Sequence, residues 1–121
     1  MKLVLSCFFL GGILSAAPLH AASASSPQKA SATVAALVQK HVKAAVKDPA
    51  SVQIRNLRTV KADAITHFCG EVNAKNSFGG YTGFRPLAGF MVLNGSSASY
   101  FSLSDIDNVE LSSALCQRNG F

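Results

Sequence analysis

Apolar positions recur along this chain at two different periods. From Ser31 to Lys47, Val34, Leu37, Val38, Val42, Ala45 and Val46 fall three and four residues apart, which makes one stripe of a helix. Gln39, Lys40, Lys43 and Lys47 take the other side, and His41 lies beside the stripe. Ser31 is suited to cap the start of this helix. Asp48-Pro49 stops it, because the residue before a proline is pushed out of the α region.

After the proline the period shortens to two. Ser51 to Val60 reads as a first strand in which Val52 and Ile54 alternate with Gln53 and Arg55. Leu57 then falls on the face of Arg55, which predicts a bulge or turn near Asn56. Lys61-Ala-Asp63 reads as a turn, and Ala64 to Ala74 as a second strand. One of its faces carries Phe68, Gly70, Val72 and Ala74, and the other carries Ile65, His67, Cys69, Glu71 and Asn73. Small Gly70 allows another element to pack closely there. Asn76-Ser-Phe-Gly-Gly80 is strong turn chemistry. Ala88–Leu93 and Ala98–Leu103 flank Asn94-Gly95, the strongest hairpin signal in the chain. A last helix is expected from Asp105 to about Gln117, capped by Ser104, with acidic residues in its first turns and Asn119-Gly120 at its end. The order helix, strands, helix predicts an α+β fold. It has an N-terminal helix, an antiparallel sheet of three to four strands and a C-terminal helix, with both helices on one side of the sheet.

The first 21 residues change the picture of where the chain lives. Lys2 is a positive start, Leu3 to Ala17 is an uncharged apolar run, and small residues follow. This is the pattern of a secretory signal. Cleavage is expected after Ala21 or Ala22, with Ala24 as an alternative. An uncleaved N-terminal anchor is the competing reading, but the run is shorter than the roughly 20 apolar residues a spanning helix needs. Cys7 lies inside the apolar core with Val4 three residues before it, so it does not match a lipid-attachment site. The expected organisation is a signal over 1–21, a flexible Ala/Ser-rich leader over 22–30 and one small domain over 31–121. A periplasmic or secreted location follows.

Processing also corrects the composition. The 49% apolar content is inflated by the signal, and removing Lys2 leaves ten Lys/Arg against six Asp/Glu, a net charge of +4. Lys40, Lys43 and Lys47 are the only cluster. Such a charge permits attraction to lipid headgroups, polysaccharide or nucleic acid without indicating any one of them. Nucleic acid is not an expected partner. Cys69 and Cys116 remain after cleavage, and two cysteines in an exported chain allow one intramolecular disulfide. Free thiols are the alternative.

Candidate chemistry is sparse. His67, Cys69, Glu71 and Asn73 alternate along one strand face, the most an enzyme reading has to work with. A cysteine nucleophile needs a free thiolate. No HExxH, CxxC, GxSxG or phosphate-loop pattern occurs. His67, Glu71 and His41 are possible metal ligands, but no metal-ligand spacing supports them, so no metal, cofactor or catalytic residue is assigned. The segment from Cys69 to Pro86 is richer. Phe78, Tyr81 and Phe84 interleave with Lys75, Asn76 and Arg85. Such a loop can stack on sugar rings or bases or anchor a protein partner, or its rings can tuck into the core while the glycines shape the backbone.

Two pieces of this region look familiar together. Lys47-Asp-Pro-Ala-Ser51 with Arg55-Asn56 precedes Cys69-Gly-Glu-Val-Asn-Ala-Lys-Asn76 and Gly79-Gly-Tyr-Thr-Gly-Phe84. The combination, over about residues 40–93, resembles a group of small exported bacterial proteins, some of them lipoproteins, generally described as of unknown function. The resemblance implies an exported protein whose C-terminal cysteine bonds the one in the motif, and it brings no activity. The leading expectation is a non-enzymatic envelope module that binds a protein or glycan through residues 71–85. Glu71, Asn73, Lys75, Asn76, Tyr81, Phe84 and Arg85 are its candidate contacts. The alternatives are a small enzyme using His67, Glu71 and Asn73, or a protein inhibitor or immunity factor.

Overall fold

The computed structural model describes residues 25–121. The expected signal over 1–21 and the first residues of the expected leader lie outside them. The chain forms β1 (Gln28–Lys29), α1 (Ala32–Ala45), β2 (Gln53–Ala62), β3 (Ile65–Asn73), β4 (Arg85–Asn94), β5 (Ser97–Leu103) and α2 (Val109–Arg118). The strands make one antiparallel sheet in the order β1-β2-β3-β4-β5, each paired with its neighbour in sequence. The α+β class, the antiparallel sheet and the disulfide agree with expectation.

The strand count does not. Five strands form, because Gln28 and Lys29 pair with Thr59 and Arg58 of β2. A strand therefore precedes the first helix, inside the stretch expected to be leader. Two polar residues carry no period, so only the waiting edge of β2 reveals this strand.

α1 begins where Ser31 Oγ accepts a hydrogen bond from the Val34 amide. Val34, Val38 and Val42 form its buried stripe and pack with Phe68, Val72, Leu87 and Met91 of β3 and β4. A short helical turn at Pro49–Ser51 then leads into β2. The bulge expected near Asn56 is present: pairing with β3 slips between Arg55 and Arg58, and Asn56 has φ of 54°. The extra residue restores the alternation, so Leu57 faces the core while Arg55 and Arg58 share the opposite face. Gly70 lies beneath this bulge, where a Cβ would come 3.1 Å from the Arg55 carbonyl oxygen. Gly89 is tighter still, since a Cβ there would run into Ser102 O and Phe68 Cζ. It lets β5 and the Phe68 ring close over β4.

The helices are not on one side. Phe68 and Val72 point toward α1, so strand alternation aims Cys69 at the other face. There Cys69 bonds Cys116 of α2, with Cα atoms 5.9 Å apart. The sheet is thus covered on both faces, which reconciles the apolar and disulfide-bearing sides of β3.

α2 also starts later than expected. Its cap is Asn108, whose Oδ1 accepts from the Leu111 amide. Ser104 instead donates to Ala88 O at 2.8 Å and lies 2.8 Å from the fully buried Ser112 hydroxyl. Asp105 accepts the Asp107 amide in a local turn, and Asp107 pairs with Arg85, so neither acid belongs to the helix. The hairpin between β4 and β5 turns at Gly95-Ser96, with Asn94 paired to Ser97 and Gly95 at φ of 62°.

Candidate functional site

The segment between β3 and β4 is built from the inside by two asparagines. Asn73, at the end of β3, is buried, and its Oδ1 accepts from the Gly83 amide while its Nδ2 reaches Gln53. Asn76 forms the turn proper. Its Oδ1 accepts from the amides of Phe78 and Gly80, its own N–H donates to Gly80 O, and its carbonyl accepts from Gly79. Gly79 has φ of 79°, a region that disfavours any side chain. Lys75 and Tyr81 pair as an isolated antiparallel bridge across this turn. The Lys75 amide donates to Ser51 Oγ, whose hydroxyl in turn donates to Asp48 O, so the loop is strapped to the short helical turn that follows α1.

The largest groups left outside are two aromatic rings and a lysine, with exposed Ser77 and Thr82 beside them in the chain. Phe78 is 96% exposed at the tip, and Tyr81 is 48% exposed beside it. Lys75 Nζ lies 5.5 Å from the Tyr81 ring centroid. A cavity of about 230 Å³ at the foot of the turn is lined by Lys47, Lys75, Asn76, Thr82, Arg85 and Asp107.

The seven sequence candidates do not converge on one point. Lys75 and Tyr81 face solvent together. Asn73 and Asn76 are structural, each spending its side-chain oxygen on amides of the loop. Arg85 pairs with Val72 on the α1 side and bonds Asp107 at 2.6 Å, with its Nε buried and without a partner among the described residues. Glu71 and Phe84 belong to a cluster on the α2 side. There Arg55 Nε lies 3.0 Å from Glu71 Oε2, its guanidinium stacks 3.7 Å from the centroid of Phe84, and Asn56 Nδ2 donates to the same carboxylate. The ion-pair partner of Glu71 is therefore Arg55. Hydrogen bonds from Arg55 and then Asn56 hold the Glu71 carboxyl below its ordinary value. Phe78 stands outside the seven, although it is the most exposed ring in the segment. Its signal was its place between Asn76 and Gly79, where a turn points a side chain outward.

A larger open groove, about 550 Å³, runs between β2, β3 and α2. Arg58, Glu71, Pro86, Cys116, Gln117 and Phe121 line it, with Arg58 over the Phe121 ring.

The polar strand face offers little to catalysis. Cys69 is held in the disulfide and has no thiolate. His67 is partly desolvated, which lowers its pKa, and its nearest ring is Phe90 with centroids 6.0 Å apart. Asn73 faces inward and Glu71 is engaged by Arg55. His41 stacks flat on Phe101 at 3.8 Å, far from a role as ligand. Among the described residues no three His, Cys, Asp or Glu side chains group so as to hold a metal ion. Compared with known family models, curated proteins and solved structures, the chain matches none.

Proposed function

We propose that this chain is a non-enzymatic binding module of the bacterial cell envelope that engages its partner through residues 71–85. One observation carries the reading: Phe78 stands almost wholly in water on a turn whose backbone is fixed by Asn76, with Tyr81 and Lys75 alongside. An exposed ring on a mobile loop costs a protein little to ignore. A ring held outward by a dedicated network is a preformed contact, because binding then orders nothing further. Large aromatic side chains are also the residues that dominate interface energetics. The disulfide fits the oxidising compartment an exported protein meets.

The test is site-specific photo-cross-linking in intact cells. A photoreactive aromatic residue replaces Phe78 in one strain and Ser96, at the tip of the β4–β5 hairpin, in another. Adducts formed from position 78 and not from 96 are expected, and mass spectrometry then identifies their chemistry. Equal or absent cross-linking at the two positions refutes the reading.

A further inference from the structure

We infer that the Phe78 turn docks on an anionic lipid bilayer, its ring entering the interface while Lys75 and Lys47 meet headgroup phosphates. The inference rests on the reading that residues 71–85 are the binding surface, and it names what that surface touches.

The turn's own chemistry selects this partner. A surface that reads sugars needs side-chain donors and acceptors free to meet hydroxyl groups. Here the Asn76 oxygen already accepts two backbone amides, and Asn73 is turned inward to Gly83 and Gln53. Outward stand the Phe78 ring, the half-exposed Tyr81 and the Lys75 ammonium group, and the small polar groups left beside them are the Ser77 and Thr82 hydroxyls and the Asn76 amino group. That is the composition of an interfacial contact: apolar ring deepest, tyrosine at headgroup level, lysine at the phosphates.

Charge points the same way. No Asp or Glu occurs from Val72 to Ser104. Lys47, two residues past the end of α1, lines the same cavity as Lys75 at the foot of the turn. Two carboxylates lie near. Asp107 is spent on Arg85 at 2.6 Å, and Asp48 follows Lys47 in the chain, with Lys43 exposed one turn earlier. Each lysine near an anionic surface adds attraction that decays within a Debye length. No described helix is long and apolar enough to cross a membrane.

Among the described residues the ring is almost wholly exposed, so Phe78→Ala removes it with little folding cost. The experiment sediments the protein, purified as cells process it, with vesicles of equal parts phosphatidylglycerol and phosphatidylcholine, and with pure phosphatidylcholine. Wild type and variant carry the same N-terminus, so residues 1–24 cannot produce a difference between them. Binding to the anionic vesicles is expected, weakened by salt and by Lys75→Gln, and about tenfold or more weaker in Phe78→Ala. The chain has no tryptophan, so Phe78→Trp reports on its own; its fluorescence should shift to the blue on anionic vesicles only.

Equal vesicle binding by wild type and Phe78→Ala overturns the inference. So does full competition by soluble glycerol phosphate, which would mark a free-phosphate site rather than a bilayer contact. If vesicles are not bound while position 78 still cross-links to protein or glycan in cells, the lipid assignment fails and the binding surface stands. If neither occurs, both fail.

Discussion

At the scale of residues, the side chains of this protein divide by whether their polar groups are already engaged. Glu71 shows the consequence. Its carboxylate accepts from Arg55 and Asn56, and these hydrogen bonds lower its folded pKa. A depressed carboxyl contributes stability that is present above its unfolded value and is lost as pH falls through the folded one. Arg55→Gln should therefore lower the urea midpoint at neutral pH, and the gap from wild type should close as pH falls through the carboxylate range. A gap constant with pH would show that Arg55 acts only through its stack on Phe84. The same division explains what could be read beforehand about the site. The sequence displayed a turn dense in polar and aromatic types, but it does not say which amides are consumed inside. Asn73 and Asn76 look identical to binding residues until their acceptors are known. Phe78 looks identical to a core residue until Asn76 is seen to hold it outward.

Elements were legible where a period was long or a local rule was strong. α1 shows three turns of apolar spacing with a serine cap, and the β4–β5 hairpin has Asn94-Gly95 beside alternating strands. The bulge at Asn56 was visible as a break in alternation. β1 was not, because its two residues form a strand only by pairing with β2. The start of α2 was misplaced because Ser104, Asp105 and Asp107 are good helix-start residues that tertiary contacts recruited elsewhere. The Ser112 hydroxyl, fully buried, donates to Ser104, which donates to Ala88. Two substitutions separate these roles. Asn108→Ala removes the true cap and should cost about 1 kcal/mol in urea unfolding. Ser104→Ala leaves the Ser112 hydroxyl without its partner and should cost about 1–3 kcal/mol. If Asn108→Ala were neutral, α2 would begin earlier than it does here.

At the scale of the molecule, the two faces of the sheet are held by different means. The α1 face has a continuous apolar core, with Val38, Val42, Phe68, Leu87 and Met91 fully buried. The α2 face has little of this. Ser112 is the one buried residue of α2, and Val109 and Leu111 are each 43% exposed. A helix that buries so little apolar surface needs another restraint, and the Cys69–Cys116 bond supplies it. The bond spans a sequence separation of 47, for which loop-closure entropy is worth about 4 kcal/mol, a large share of the roughly 5–15 kcal/mol by which domains are stable. The paired substitution Cys69→Ser with Cys116→Ser should therefore act unevenly. Hydrogen exchange should show α2 amides losing protection first, while α1 and the β3–β4 pairing remain protected. The Phe78 turn is strapped through Ser51 and Asn73 rather than through α2, so its cross-linking from position 78 should survive below the new melting temperature. Uniform loss of protection across both helices would mean that the two faces form one cooperative unit, with α2 supported by contacts beyond its disulfide.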